Sequence, residues 1–109
     1  MARVTADFWV AAYLSRLSQQ GIFAHIAHKG DQTAGAIAIK LATMDGYATL
    51  FMRNYDGEGH RVWATVMDRA PEREVDEYAA KQRNFDRDLW LIEVEDPKGR
   101  HLLDEFPSD

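Results

Sequence analysis

The spacing of apolar and polar positions along the chain predicts two helices. Between Thr5 and Gln20, apolar residues recur at intervals of three and four, as on one helix face: Ala6, Trp9, Val10, Tyr13, Leu14 and Leu17. We expect Thr5 to be the N-cap and Gly21 to end this helix. A second helix is predicted for "PEREVDEYAAKQR", which opens at Pro71 and has a thin apolar stripe.

Short apolar and β-branched runs predict the strands: "IFAHIAH", "GAIAIKLA", residues 47–54, residues 60–67 and "LWLIEVE". Asp45-Gly46 and Asp56-Gly57 lie between such runs and predict two-residue hairpin turns with positive φ at both glycines. The predicted fold class is therefore α+β. It has a single sheet of about five mainly antiparallel strands and two principal helices, in the order α-β-β-β-β-α-β. We expect residues 1–109 to form a single globular domain.

Two-residue turns would also fix the register of the strands, because loop length determines which residues face each other. Leu41 would face Leu50, and Leu50 would face Trp63. The core face of the sheet, covered by the first helix, would then consist of Ile37, Ile39, Leu41, Leu50, Met52 and Trp63. The opposite face would be mixed, with Ala36, Ala38, Lys40, Thr49, Phe51, Arg53, His60, Val62 and Ala64.

Three basic residues on that mixed face are the candidate ligand-binding residues: Lys40, Arg53 and His60. In the predicted register Arg53 pairs with His60, and Lys40 lies one strand away beside Phe51. Their donors would converge above small side chains and could hold a small anionic ligand. The alternative interpretation is that these residues form the rim of a face that is covered by the second helix or by a second subunit.

Composition removes several other classes of function. The chain has no cysteine, which excludes disulfides, thiolate nucleophiles and cysteine-ligated zinc. The net charge of −5 argues against nucleic acid as a partner, and no apolar run is long enough for a membrane helix, so we expect a cytoplasmic protein. His25 and His28 are expected on opposite faces of their strand, where they are poor joint ligands of a metal ion. No metal site and no cofactor are predicted. The acidic residues of the second helix, Glu72, Glu74, Asp76 and Glu77, are interpreted as a solvated surface.

The segment "RNFDRDLW" at residues 83–90 places several charged side chains between Phe85 and Trp90. We interpret it as the corner between the second helix and the last strand, with both aromatic residues anchoring it. Asp86 and Asp88 would then bond nearby backbone amides, as aspartates in turns commonly do. The alternative is a carboxylate pair for metal binding or acid-base chemistry, which would need partners from elsewhere in the fold.

The run "RNFDRDLWLIEVED", followed by "GRHLLDE", together with "FWVAAYLSRLSQQG" and "KGDQTAGAIAIKL", resembles the DUF1491 family of short bacterial proteins of unknown function. The resemblance covers nearly the whole chain. It is most specific in the Phe-Asp-x-Asp-Leu-Trp element at residues 85–90 and in the Lys-Gly-Asp segment at residues 29–36. It implies a small single-domain α and β protein, and it assigns no activity and no catalytic residue.

The sequence favours a non-enzymatic cytoplasmic binding or accessory protein. A homodimer is expected, through the face that carries Phe51, Val62 and Tyr47 or through an outer strand, because the thin second helix would leave these residues exposed. The alternative is a small enzyme or ligand-binding protein that acts on an anionic metabolite at Lys40, Arg53 and His60.

Overall fold

A computed structural model of the chain describes residues 4–55 and 57–106. The described residues form these elements: α1 (Ala6–Gln19), β1 (Phe23–His28), β2 (Ile37–Ala42), β3 (Tyr47–Tyr55), β4 (Arg61–Pro71), α2 (Glu72–Phe85), β5 (Trp90–Glu95) and a short 3-10 helix (Leu103–Glu105). The order of helices and strands, and the α+β class, are as predicted.

The strands form one five-stranded sheet in the spatial order β1-β5-β2-β3-β4. The last strand, β5, lies between the first two. It is antiparallel to β1 and parallel to β2, whereas β2, β3 and β4 form an antiparallel meander. The sheet is therefore mixed but mainly antiparallel, and β1 and β4 are its outer strands in the part of the chain that the structure describes.

Helix α1 covers one face of the sheet with the apolar stripe that the sequence predicts. Its buried side chains are Ala6, Trp9, Val10, Tyr13 and Leu17. They form one core with inward-facing residues of the rest of the chain: Ile22, Ile37, Ile39, Leu41, Trp90, Ile92, Val94 and Leu103. The helix ends as predicted, because Gly21 adopts a φ of 72° and the Ile22 amide donates to the Leu17 carbonyl. The Tyr13 hydroxyl donates to the His101 carbonyl and fastens the C-terminal segment across this face.

Helix α2 covers part of the opposite face and packs against β2, β3 and β4. Only Val75 and Ala79 of this helix are buried. They belong to a smaller core with Ala38, Ala48, Leu50 and Leu89, around which Met52, Met67, Tyr78 and Leu91 are partly buried. The thin apolar stripe of the second helix is thus sufficient to pack on the sheet, because the sheet beneath it supplies the small side chains of Ala38 and Ala48.

The predicted register between β2 and β3 is wrong by one residue. Leu41 pairs with Thr49 and Lys40 pairs with Leu50. The turn is longer than two residues because the Asp45 carboxylate accepts hydrogen bonds from the Thr43 hydroxyl and the Tyr47 amide on either side of it. Because side chains alternate along a strand, Leu50 and Met52 lie on the α2 face instead of the α1 face.

The predicted register between β3 and β4 is wrong as well, since Arg53 pairs with Trp63 and not with His60. Asp56, the first residue of the predicted turn, lies outside the described residues. Gly46 has the predicted positive φ, but in the second connection it is Gly59, not Gly57, that has one. Each displacement is an odd number of residues and would by itself move Trp63 to the other face of the sheet. Together the two leave Trp63 on the α1 face, as predicted.

The predicted dimer face with Phe51, Val62 and Tyr47 does not form. Phe51 packs against the α1-side core, and its ring lies 4.9 Å from that of His101. Val62 points to the opposite side of the sheet, because its neighbour Trp63 contacts that same core. Phe51 is therefore partly buried against the core on the α1 side of the sheet.

Candidate functional site

The three predicted ligand-binding residues lie in three different places. Lys40 is buried beneath α2. Arg53 lies on the α1 face, with its guanidinium 5.6 Å from the centroid of the Trp9 ring. His60 precedes β4, where its side chain is exposed beside Glu58. The structure does not bring the three onto one face, because β3 is displaced by one residue against β2. Anion binding by these three side chains stays a prediction, but they do not share the sheet face on which that prediction was based.

Lys40 lies in the middle of β2 and is only 2% exposed. Its Nζ atom lies 2.8 Å from a Glu72 carboxylate oxygen, 2.7 Å from one of Asp76 and 3.6 Å from one of Glu93. Glu72 and Asp76 are spaced i, i+4 on α2, whereas Glu93 is the parallel neighbour of Lys40 on β5. One ammonium group therefore joins α2 to two central strands.

The electrostatics of this cluster keep Lys40 charged. Desolvation by burial lowers the pKa of Lys40, but hydrogen bonds to Asp76 and Glu72 and the nearby charge of Glu93 outweigh it, and the net pKa is raised above its ordinary value. A lysine of this kind is a poor nucleophile, because Schiff-base chemistry requires the neutral amine. The arrangement is that of a buried structural cation.

Glu72 and Asp76 lie on an exposed side of the second helix, but they also form ion pairs with Lys40, which the interpretation as a solvated surface did not include. A signal was present in the sequence, since Lys40 interrupts the apolar strand "GAIAIKLA" and buried lysines are almost always paired. The choice of partners could not be made from sequence, because nothing in it shows which side of the second helix rests on the sheet.

The segment "KGDQTAG" and the corner "FDRDLW" contact each other. The Asp31 amide donates to the Asp88 carbonyl at 3.0 Å, and the Trp90 indole donates to the Asp31 carbonyl at 2.8 Å. Gly30 and Gly35 pack so closely on the Asp88 carbonyl and the Trp90 ring that a Cβ atom at either position would collide with them. The most specific segments of the resemblance thus form one structural unit.

The same unit fixes the start of α1. The carbonyls of Thr33 and Gln32 accept hydrogen bonds from the Ala6 and Asp7 amides at the first turn of the helix, which would otherwise lack partners. The Asp31 carboxylate in turn bonds the amides of Thr33 and Ala34 and holds the loop in shape. Helix α1, β2 and β5 therefore meet at this loop.

At the corner itself, the Asp86 carboxylate accepts a hydrogen bond from the Asp88 amide, as predicted for a turn. Trp90 is buried as expected, but Phe85 does not anchor the corner, because it is 87% exposed. In the part of the chain that the structure describes, the Asp88 carboxylate makes no hydrogen bond. The backbone of this segment is what fixes the corner, and the two carboxylates do not form a joint site.

A strip of the sheet beside α2 is uncovered. The α2-side surfaces of β5 and β1, which we name the open strip, carry Leu91, Glu93, Glu95, Phe23, His25 and His28. Among these, Phe23 is 64% exposed. The prediction that His25 and His28 lie on opposite faces is wrong, because an irregularity after Ile26 places His28 opposite Leu91.

Between residues 4 and 106, leaving out Asp56, no three histidine or carboxylate side chains are grouped so that they could hold a metal ion. No helix formed by the described residues is long and apolar enough to cross a membrane.

The fold and the residues of its corner define a small α+β protein with one helix on each face of a mixed five-stranded sheet. A family model described as "Protein of unknown function (DUF1491)" matches residues 4–104. The chain belongs to this family, as the resemblance implied. No curated protein matches the chain.

Solved structures with the same fold are known from two bacteria. A crystal structure of a DUF1491 family protein from Caulobacter crescentus is 38% identical, with a TM-score of 0.84, and the match covers 91% of this chain and 94% of that one. An NMR structure of a DUF1491 family protein from the same bacterium is 37% identical, with a TM-score of 0.82 and 93% of each chain covered. The solution structure of protein Atu0922 from A. tumefaciens is 26% identical, with a TM-score of 0.75 and 86% of each chain covered.

Proposed function

We propose that this protein is a non-enzymatic accessory protein of the bacterial cytoplasm that assembles as a homodimer through the outer edge of β1. The observation that carries the proposal is the character of this edge. The strand "FAHIAH" contains no proline, lysine or carboxylate, and it exposes an apolar side chain on each face, Phe23 at 64% and Ile26 at 42%. An outer strand of this kind presents unpaired backbone groups that favour another extended strand.

The opposite edge of the sheet, formed by β4, differs in its charges and its proline. It carries Arg61, Asp68 and Arg69, ends in Pro71, and pairs irregularly with β3 at two points, whereas β1 has one irregularity, after Ile26. Arg69 adopts a φ of 47°, which distorts the strand further. Charges, proline and irregular pairing are the devices by which natural sheets block edge pairing. The contrast between the two edges singles out β1 as the one suited to a partner strand.

An accessory role is supported by what the buried polar groups do. In the described segments, no buried side-chain nitrogen or oxygen lacks a hydrogen-bond partner. Lys40 and Asp96, the charged residues of the interior, are both held in ion pairs, the latter with Arg100. These ion pairs give both groups a structural role, which supports an accessory protein rather than a catalyst.

We also propose that the protein acts in the bacterial cytoplasm. The relatives from Caulobacter crescentus and A. tumefaciens support a bacterial origin. The cysteine-free sequence suits the reducing cytoplasm.

The geometry of such a dimer follows from the fold. Antiparallel pairing of β1 with its copy joins two five-stranded sheets into one continuous sheet, with the twofold axis perpendicular to it. Because α1 packs over β1, the α1 helices of the two copies would lie near each other on the same side. Contacts between these helices would add to a strand pairing of six residues, which is small beside the roughly 1,600 Å² of a standard interface.

Analytical ultracentrifugation at micromolar concentration tests the proposal. The wild type should sediment with twice the mass of the chain, and Ile26→Lys should sediment as a monomer, because a lysine on the edge strand opposes pairing. Val62→Lys is the matched control, since Val62 is an exposed apolar residue on the opposite outer strand. Circular dichroism verifies that both variants are folded. A monomeric wild type, or equal dissociation by both variants, would overturn the proposed dimer.

A further inference from the structure

The open strip has the width of one helix. Helix α2 rests on β2, β3 and β4, and among the described residues no helix packs to a comparable extent on the same side of β5 and β1. Neighbouring strands are about 4.8 Å apart, so two strands present a band about 10 Å wide. A helix with its side chains has a diameter of about 10–12 Å. The band can therefore accept one helix that lies beside α2.

The strip offers one apolar contact near each of its ends. The Phe23 side chain stands exposed beside its cross-strand neighbour Glu95. Leu91, on the α2 side of the strip, packs against the core under α2 and is half-buried. A helix on the strip would contact Leu91 near one end and Phe23 near the other, and it would pass over Glu93 and His25 between them.

The charge of the strip is negative. Along its border with α2, the carboxylates of Glu72, Asp76 and Glu93 share one ammonium, that of Lys40. Glu95 adds a fourth carboxylate, which has no cationic partner in the described residues. Leaving the histidines out of the count, four carboxylates lie beside one ammonium, an excess of three negative charges. A partner that carries lysine or arginine beside its apolar residues complements this pattern.

We propose that the open strip is the docking site for an amphipathic helix of a partner protein, with an apolar stripe flanked by basic side chains. Apolar anchors of the helix contact Phe23 and Leu91, while its basic residues lie beside Glu93 and Glu95. The inference goes beyond the proposed homodimer, because docking uses side chains on one face of β1, whereas dimerisation uses the backbone at its outer edge. Both events can occur on the same molecule.

Titration of the full chain with a synthetic peptide tests the site. The probe is a peptide of about 18 residues, long enough to form a stable helix, with leucines at i, i+3, i+4 and i+7 and lysines at the remaining positions. A matched peptide with glutamate in place of lysine is the control. Binding is followed by peptide fluorescence anisotropy, and the contact surface by amide chemical shifts of the labelled protein. We expect the lysine peptide to bind, with shifts concentrated in β1 and β5, and the glutamate peptide not to bind.

Variants separate the strip from general acidity. Glu95→Lys reverses a charge on the strip, and Glu74→Lys makes the same change at an exposed position of α2 that Lys40 does not contact. We expect Glu95→Lys to weaken binding of the lysine peptide by at least about tenfold and Glu74→Lys to leave it unchanged. Absence of binding to the wild type, equal loss in both variants, or shifts confined to the α1 face would overturn the proposal.

The outcome is independent of the proposed dimer. Glu95 lies on β5, away from the outer edge of β1, so Glu95→Lys should leave the sedimentation mass unchanged. A monomeric protein that binds the lysine peptide would refute the dimer and retain the docking site. A dimer that does not bind the peptide would do the reverse.

Discussion

Replacing Lys40 with methionine tests whether its charge holds α2 on the sheet. Methionine keeps an unbranched side chain of similar length and removes the ammonium that lies between Glu72, Asp76 and Glu93. Lys40→Ala removes the aliphatic part of the side chain as well. The difference between the two variants separates the contribution of the ion pairs from that of packing.

The magnitude follows from the exposure of the partners. Removing one member of a fully buried ion pair costs about 3–5 kcal/mol, because the other charge is left buried and unpaired. Here the side chains of Glu72 and Asp76 are 38% and 54% exposed, so water screens the pairs and rehydrates both carboxylates once the ammonium is gone. We therefore expect Lys40→Met to lower the free energy of unfolding by about 1–2 kcal/mol. Lys40→Ala should cost about 3–4 kcal/mol, because it also leaves a cavity.

The dependence on pH has a definite sign. The pKa of Lys40 is raised in the folded protein above its ordinary 10.5, so the stability from its ion pairs is fully present below pH 10.5. It is lost as the pH rises through the folded pKa. The difference between the wild type and Lys40→Met should therefore be constant from neutral pH up to 10.5 and should shrink above it.

Urea denaturation followed by circular dichroism measures all three proteins at neutral pH and in a series up to alkaline pH. Hydrogen exchange shows where the loss is felt, and we expect amides of α2 to exchange faster in Lys40→Met than those of β5. If Lys40→Met were as stable as the wild type or more stable, the ion pairs would contribute nothing beyond packing. If Lys40→Met and Lys40→Ala were equally unstable, packing of the aliphatic chain would be irrelevant. Either result would refute the reasoning.

Three further predictions concern single positions, and denaturant melts measure each of them. Gly30→Ala should lower the free energy of unfolding by at least about 1–3 kcal/mol, because the new Cβ atom would collide with the Asp88 carbonyl. Gly57→Ala is the control and should change that free energy by less than about 0.5 kcal/mol, because the space around Gly57 is open. Trp90→Ala should cost about 3–5 kcal/mol and Asp88→Asn about 1 kcal/mol or less, since the indole is buried and the carboxylate is exposed. Equal losses would contradict the conclusion that the backbone and the indole, and not the Asp88 carboxylate, fix this corner. Asp96→Asn should destabilise the protein above pH 3.8 and progressively less below it, because hydrogen bonds from its paired guanidinium lower the pKa of the folded carboxyl and that stability is lost as pH falls through it.

The elements of the fold were predictable from sequence, but the register of its strands was not. The spacing of apolar residues and the turn residues between elements are local signals, and they located α1 and all five strands to within a few residues. Register depends on how many residues a turn takes up. In the first hairpin that number is set by the Asp45 carboxylate, which bonds the Thr43 hydroxyl and the Tyr47 amide, and the dipeptide Asp-Gly does not reveal these bonds. A one-residue change there exchanges the faces of every side chain on β3.

The site was harder to predict, because its members are distant in sequence. Lys40 was predicted as a candidate ligand-binding residue, but its partners Glu72, Asp76 and Glu93 come from two other elements that only the fold brings together. The open strip depends on which strands α2 covers, and the position of His28 on it depends on an irregularity of β1 after Ile26. Neither property leaves a local pattern in the sequence.

The position of β5 in the sheet has a consequence for how the chain folds. Although β5 is the last strand to be synthesised, it separates β1 from β2, and Phe23 at one end of the chain pairs with Glu95 near the other. While a ribosome has released only the residues before Trp90, the meander of β2, β3 and β4 can form, but β1 has no strand to pair with. Pairings between such distant segments close long loops and slow folding. A chain that ends before Trp90 would leave β1 without a partner and one edge of β2 unpaired, and we expect it to aggregate or be degraded.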